Sequence, residues 1–366
     1  MKKTSCIIFL SLLIVVLSAC LNQDETVEGS SEINVKGLEN VDVLNSHGRI
    51  KGLENMTNFY ENMQNGVPSE LRIVHYTIEG DPIVTDLNYN GELLEVIDDT
   101  TRDKYGSGAI RHNNCSKLIE EVNPINTTYI AVDCVNDPYG MQEILQINYN
   151  LSQQDLFEFE LKYGLNLENE INTLTNTMKK VSVENGTQIN HDYNIAMDVK
   201  QEMYKRLVFA NYLEEKDLTQ TCDTKDTTNY FLRVHINGGQ REYQWDACDH
   251  SKDGVKFTKI ANYIIEQSAE EQAEQPKVTV QGYVLEKKGK ELLIGEGLTM
   301  LDYQWIKEEL QQMDFEDYSF DFTILVGENT IEFNPGDKIQ ATIEGTISDS
   351  KPGRARVKEI KKLELY

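Results

Sequence analysis

Apolar side chains spaced three and four residues apart predict a helix that begins at Leu53 and ends before Asn65-Gly66. Apolar and polar positions then alternate, or run apolar, over residues 71–77, 82–89, 92–97, 128–134 and 143–149. Asn90-Gly91 between two of these runs is a strong signal for a tight hairpin. We therefore predict an α+β domain over 41–150, with one helix packed on an antiparallel sheet.

The middle of the chain, 151–267, mixes helical and alternating patterns. Residues 165–183 and 195–213 have helical character and are separated by Asn185-Gly186. Two strands, 230–236 and 242–245, flank the turn sequence Asn237-Gly238-Gly239, and an amphipathic helix follows over 255–267. The pattern predicts a helix-rich α+β domain.

Residues 268–276 contain no apolar side chain larger than Ala and end at Pro276, so they form either a linker or a continuation of the preceding helix. The last part, 277–366, is strand-rich, with runs at 277–286, 292–295, 320–326, 338–347 and 355–363 and one inserted helix at 301–313. Five strands and a helix predict a small OB-like β-barrel. The fold class is thus α+β, with antiparallel sheet-plus-helix domains followed by this barrel.

The first 20 residues have the layout of a bacterial lipoprotein signal. Lys2 and Lys3 precede a 12-residue, mostly apolar run, and Leu17-Ser18-Ala19-Cys20 closes it. That run is too short to span a bilayer, which takes roughly 20 residues. We expect 1–19 to be a signal peptide, and Cys20 to carry a diacylglycerol as a thioether. The alternative is a secreted soluble protein in which this Cys occurs by chance.

Residues 20–40 are acidic and poor in aromatic side chains, which indicates a flexible tether. With lipid on Cys20, the expected location is the outer, extracytoplasmic face of the cell membrane. The formal net charge of −26 argues against nucleic acid as a partner, because phosphate binding needs clustered Lys and Arg. An acidic surface suits a protein outside the cell that meets cations or basic peptides, although solubility alone also explains it.

Four cysteines remain after Cys6 and Cys20 are set aside. They are Cys115, Cys134, Cys222 and Cys248, and an even number outside the cytoplasm favours two disulfides. Three pairings are possible. We favour Cys115–Cys134 with Cys222–Cys248, because each bridge then lies within one domain; four free buried thiols are the alternative.

Two regions resemble known but uncharacterised families. The sequence words Asp42-Val-Leu-Asn-Ser-His-Gly48, Arg72-Ile-Val-His-Tyr-Thr-Ile-Glu-Gly-Asp-Pro82 and Asp99-Thr-Thr-Arg-Asp-Lys-Tyr-Gly-Ser-Gly108 resemble family 4362 among the domains of unknown function, found in lipoproteins of Gram-positive bacteria. Val280-Gln-Gly-Tyr-Val-Leu285 and Gly336-Asp-Lys-Ile-Gln-Ala341 resemble family 3221 of the same catalogue. These resemblances imply location and fold, and no chemistry.

Known catalytic and metal-binding patterns are absent from the sequence. Asp86-Leu-Asn-Tyr-Asn-Gly91 copies half of a calcium loop, but Ile97 stands where a bidentate Glu is needed, so a hairpin explains it better. No HExxH, CxxC, Walker or dinucleotide motif occurs. We predict no catalytic residues, no metal site and no cofactor.

The loop of residues 99–108 is the best candidate for a ligand site. Its glycines permit close backbone approach, Arg102 and Lys104 can meet an anion, and Asp99 with Glu79 can meet a cation. His47, in a turn before Gly48, is the least constrained histidine. A tight connection between strands is the plainer interpretation of the loop.

The sequence therefore favours a non-enzymatic, lipid-anchored surface protein that binds an envelope protein or wall polymer. A basic strip near the C-terminus can face such a polymer, or simply be a solvated strand face. A cell-envelope enzyme or inhibitor that uses the loop of residues 99–108 is the alternative, and a structural spacer is a third possibility.

Overall fold

The computed structural model describes residues 33–106, 108–184, 186–220, 222, 227–270 and 278–364. The predicted signal peptide and Cys20 lie outside the described residues. Part of the segment 33–40, however, is packed, although five of its eight residues are exposed. Val35 is buried with Val41, Val74 and Val84, so the tether predicted for 20–40 is wrong from residue 33 onward.

The first sheet has six strands in the order β2-β1-β3-β4-β5-β6. Their bounds are β1 Val43–Ser46, β2 Arg49–Lys51, β3 Ser69–Tyr76, β4 Pro82–Tyr89, β5 Leu94–Asp99 and β6 Ile110–Cys115. β1 and β3 are parallel and every other pair is antiparallel. The helix α1, Leu53–Gln64, lies on one face through its buried Leu53, Met56, Phe59 and Met63.

The helix α1 agrees with the predicted helix because its apolar stripe matches the helical period. The sheet differs from the prediction. Residues 128–134 and 143–149 do not complete it but form a separate three-stranded sheet, β7 Lys117–Val122, β8 Asn126–Val132 and β9 Met141–Asn148. β6 and β7, only one residue apart, had no clear alternation and were not predicted.

The third sheet has the order β13-β12-β11-β10-β14-β15. Its strands are β10 Phe157–Gly164, β11 Asn169–Asn172, β12 Thr177–Ser182, β13 Gly186–Asn190, β14 Asn229–Ile236 and β15 Gly239–Asp246. Two helices, α2 Met197–Phe209 and α3 Lys252–Glu270, pack with it. The end of α3 shows that the segment predicted as a linker begins as helix, at least through residue 270.

The helix predicted over 165–183 is wrong. Ile171, Leu174 and Met178 have helical spacing, but Leu167 and Asn176 adopt left-handed backbone conformations that end a strand in a turn. Ile171 and Met178 instead pair across β11 and β12, and both side chains are buried. Apolar residues at helical spacing are thus compatible with a hairpin here, because the residues between them form its turn.

The C-terminal part is a closed five-stranded barrel in the order β16-β17-β18-β20-β19. Its elements are β16 Thr279–Lys288, β17 Glu291–Glu296, the helix α4 Met300–Glu309, β18 Asp321–Val326, β19 Lys338–Glu344 and β20 Gly353–Lys362. β18 and β20 are parallel. The α+β class and the terminal barrel predicted from the sequence are confirmed.

Both favoured disulfides are present. Cys115, at the end of β6, pairs with Cys134, which follows β8, so this bond joins the first two sheets. Cys222 pairs with Cys248, which follows β15. One hydrophobic core runs from Val43 to Ile264, so the domains predicted as 41–150 and 151–267 share it.

Candidate functional site

The predicted site residues lie in turns at the same end of the strands of the first sheet. β1, β3 and β5 run in the same direction, so the turns that follow them emerge at the same end. His47 lies in the turn after β1, Glu79 in the turn after β3, and Asp99, Arg102 and Lys104 at the end of β5 and in the loop that follows. The topology therefore brings all five residues to the same end of the sheet's strands.

Asp99, Arg102 and Lys104 each have a charged partner, and the partner of Lys104, Asp81, lies in the turn before β4. Lys104 Nζ donates to Asp81 Oδ1 at 2.6 Å, and the Lys104 backbone amide donates to Asp81 Oδ2 at 3.1 Å. Asp99 accepts hydrogen bonds from Arg102 and from the Thr101 amide. Lys104 holds the pKa of Asp81 below its usual value, and Thr101, with Arg102, does the same for Asp99.

These contacts favour the plainer interpretation, a tight connection between strands. Thr100 and Ala109 exchange hydrogen bonds across the base of the loop. His47 and Glu79 are exposed in their own turns, and within the described part of the chain no hydrogen bond or ion pair links either of them to this loop. The charges of Asp99, Arg102 and Lys104 are therefore paired within the protein, although the Lys104 side chain is 77% exposed and the Arg102 side chain 41%.

A larger cleft lies where the three-stranded sheet, the third sheet and the barrel meet. Its volume is about 950 Å³. Its walls come from β9, the segment after β9, β10, α2, β16, the end of β17 and the start of β18. We call it the acidic cleft because seven carboxylate side chains line it and Lys200 is the one Lys or Arg among its lining residues; the carboxylates are Glu143, Asp155, Glu158, Asp198, Glu296, Asp302 and Asp321.

Two of these carboxylates have raised pKa values. The Glu143 side chain still contacts water, but the walls around it desolvate the carboxyl and raise its pKa, and repulsion from Asp302 adds to the effect. Desolvation and repulsion from Asp321 likewise raise the pKa of Glu296. A hydrogen bond of 2.7 Å from Thr323 Oγ1 opposes that rise only in part.

Local structure holds the cleft walls in place. Thr299 caps α4, since its Oγ1 accepts from the Asp302 amide at 3.1 Å, and Asp302 accepts in return from the Thr299 amide at 2.8 Å. Lys200 Nζ is 2.8 Å from Glu158 Oε2, so the single cation of the cleft is already paired. The remaining carboxylates give the cleft a strongly negative potential.

The barrel wall is fixed by a buried ion pair between β7 and β19. Lys338 Nζ lies 2.8 Å from Glu121 Oε1, and the two side chains are 3% and 2% exposed. Glu121 also accepts from the Tyr283 hydroxyl and the Met300 amide, each at 2.6 Å. Asn126 Nδ2 donates to the Gly297 carbonyl oxygen at 3.3 Å beside the cleft.

Sequence patterns had no signal for the acidic cleft, because its residues come from six separated segments of the chain. The acidic excess was visible but was spread along the sequence. Within the described ranges, no group of three or more His, Cys, Asp and Glu side chains has an arrangement suited to a metal ion. No helix in the described part is long and apolar enough to cross a membrane.

Comparisons with known proteins identify two segments. Residues 40–130 match the model of DUF4362, a domain of unknown function, and residues 281–364 match that of DUF3221, a protein family of unknown function. This confirms the layout that the sequence words indicated. No curated protein matches.

Among solved structures, the YobA protein of Bacillus subtilis subsp. subtilis strain 168 is 18% identical and aligns with 25% of this chain and 98% of its own, with a TM-score of 0.19. The loop of residues 99–108 lies inside the DUF4362 match. The acidic cleft draws on both matches and on the chain between them, with residues 124–126 inside the DUF4362 match.

Proposed function

We propose that this chain, with its DUF4362 and DUF3221 segments, is a binding protein anchored by lipid to the outer, extracytoplasmic face of the cell membrane. Its acidic cleft receives a Lys/Arg-rich segment of an envelope protein. The observation that carries the proposal is the composition of the cleft, seven carboxylates and one already paired lysine in about 950 Å³. Clefts of this size between structural units are common ligand sites.

The electrostatics of the cleft favour a cation. Glu143 and Glu296 have raised pKa values because they are desolvated and face other carboxylates. An ammonium or guanidinium group that enters the cleft lowers the free energy of both ionised carboxylates and returns their pKa values toward normal. The negative field also accelerates the encounter with a basic partner at low ionic strength.

The proposed location rests on the sequence Leu17-Ser18-Ala19-Cys20 and on the two disulfides. Disulfides persist in oxidising compartments outside the cytoplasm. An anchored protein meets its partner within the envelope, where the wall polymer is the other candidate. A polyanionic polymer fits the acidic cleft poorly, so we favour the protein partner.

A peptide titration tests the ligand class. Calorimetry with a short lysine-rich peptide at low salt is expected to show saturable binding to the mature protein, weakened by added salt. Glu143→Gln/Glu296→Gln/Asp321→Asn removes three charges from the cleft. At roughly 0.5 kcal/mol for each lost ion pair, the dissociation constant is expected to rise about tenfold.

The matched control removes three exposed charges outside the cleft, with Glu92→Gln/Asp349→Asn/Glu359→Gln. Its net charge equals that of the cleft variant, so non-specific attraction weakens equally in both. Equal affinities of the two variants would show that the peptide does not use the cleft, and that part of the proposal would be rejected.

The anchor has its own test. Cys20→Ser is expected to leave the precursor uncleaved by the lipoprotein signal peptidase and without lipid, since the thioether needs a thiol. Metabolic labelling with a fatty acid should mark the wild-type protein and not the variant. Lipid labelling of the Cys20→Ser protein would refute the anchor and leave the cleft proposal unaffected.

A further inference from the structure

A second concave site, unrelated to the acidic cleft, lies between the three helices α1, α2 and α3. It has a volume of about 300 Å³. We call it the three-helix groove. It is lined by the N-terminal half of α1, the C-terminal end of α2 and the first half of α3; the residues that matter are Leu53, Phe209, Ala210, Arg206, Lys256 and Lys259.

The floor of the three-helix groove is apolar and belongs to the main core. Leu53, Ala210 and Ile260 are buried members of the main core, and Phe209 packs against that core from a half-buried position. A floor built from core side chains is preformed, so an apolar ligand group would be buried there without reorganising the protein.

The rim has the opposite charge to most of the protein. Arg206, Lys256 and Lys259 surround the floor and Glu54 is the one acidic lining residue, while the whole chain has a net charge of −26. Arg206 is partly engaged, with Nε 2.8 Å from Glu202 Oε1 and its guanidinium 4.3 Å from the Tyr263 ring centroid. Within the described residues, neither Lys256 nor Lys259 has a carboxylate partner.

We propose that the three-helix groove binds a monomeric anionic amphiphile, a molecule with a single carboxylate head and a short apolar chain. The apolar chain would lie on Leu53, Phe209 and Ala210, and the carboxylate would meet Lys256 and Lys259. The two parts of the site are adjacent, so a ligand must supply both features to use them. Charge complementarity selects against cationic and zwitterionic amphiphiles.

This site is independent of the acidic cleft. It has the opposite charge, and no residue lines both sites; α2 contributes its first turn to the acidic cleft and its last turn to the three-helix groove. A protein that binds basic segments at one site can therefore bind an acidic apolar molecule at the other without competition.

Equilibrium dialysis with radiolabelled decanoate, below its micelle-forming concentration, tests the proposal on the mature protein. We expect saturable binding of one decanoate per chain. Acetate lacks the apolar chain and 1-decanol lacks the charge, so each is expected to bind at least about tenfold more weakly. Lys256→Ala/Lys259→Ala is expected to weaken decanoate binding about tenfold, and to leave 1-decanol binding unchanged.

The matched control is Lys288→Ala/Lys361→Ala, which removes the same charge from the exposed barrel surface and should keep wild-type affinity for decanoate. Three results would overturn the proposal: no saturable binding of decanoate, equal affinity of the two double variants, or binding of 1-decanol as tight as that of decanoate. Retention on anionic vesicles without binding of monomeric decanoate would assign the groove to a membrane surface and would also overturn it.

Discussion

Replacing Glu121 with Gln is the sharpest test of how the barrel is attached. The carboxylate is the counter-charge of Lys338 and the acceptor for Tyr283 and the Met300 amide, all in an environment closed to water. Gln keeps an acceptor of similar size but removes the charge. The ammonium of Lys338 is then buried without compensation, which costs about 3–5 kcal/mol in comparable buried pairs.

The chemistry of lysine limits this cost. Burial already lowers the pKa of Lys338, while Glu121 opposes that shift. Without Glu121, the side chain can escape by losing its proton, which at pH 7 costs about 4.6 kcal/mol, from an ordinary pKa of about 10.4 and about 1.4 kcal/mol per pH unit. We therefore expect a loss of about 3–4.6 kcal/mol in the free energy of unfolding.

The pH dependence gives a signature. In Glu121→Gln, the folded pKa of Lys338 lies below its unfolded value, so the unfolded state binds more protons between the two and stability rises with pH. The deficit relative to wild type should shrink by up to about 1.4 kcal/mol per unit from pH 7 to 9. Urea unfolding followed by far-ultraviolet circular dichroism measures both quantities.

Two companion variants complete the test. Lys338→Met leaves Glu121 with two hydrogen-bond donors, so it should cost less than Glu121→Gln, and the double variant should recover part of the loss. Glu291→Gln, in the exposed pair with Arg354, serves as the surface control and should have little effect. A Glu121→Gln protein as stable as wild type, or a deficit that does not change with pH, would refute the reasoning.

Three further predictions concern the first two sheets. Replacing Cys115 and Cys134 by Ser opens a bond between residues 19 positions apart and should lower the free energy of unfolding by about 3 kcal/mol in urea titration. Met56→Ala, in the core, should cost about 2–5 kcal/mol in the same assay, whereas Met197→Ala, 68% exposed, should stay within about 0.5 kcal/mol. Asp81→Asn should speed hydrogen exchange of the β5–β6 loop amides at pH 7. Because the folded pKa of Asp81 is lowered, the wild-type loop should keep its protection from exchange until the pH falls through this lowered pKa.

Local patterns predicted the elements whose signals are local. The hairpin that contains Asn90-Gly91 was visible because its turn and flanking strands lie together in the sequence, although the connection has four residues, 90–93, and not the two of a tight hairpin. The cysteine pairing followed from proximity along the chain, and both bonds are present. The strands β11 and β12 were predicted as helix because their apolar residues have helical spacing. The turn residues between the strands, and not this spacing, determine the structure of the segment.

The sites that depend on long-range packing could not be predicted. Glu121 and Lys338 are separated by 217 residues, and no periodicity reveals that their side chains meet. The acidic cleft and the three-helix groove have the same origin, since each is assembled from segments that are remote in sequence. By contrast, the loop of residues 99–108 was noticed because its charges are close together in the sequence, and two of them, Asp99 and Arg102, pair with each other.

The shared core limits how the protein can be divided into recombinant fragments. A fragment that ends at residue 130, where the DUF4362 match ends, would stop inside β8, lack β9 and leave Cys115 as an unpaired thiol. A cut between Glu270 and residue 278 keeps the core from Val43 to Ile264 whole. Even that cut separates Lys338 and Tyr283 from Glu121 and so exposes them to water. An isolated barrel is therefore expected to be more soluble if Tyr283 is replaced by a polar residue.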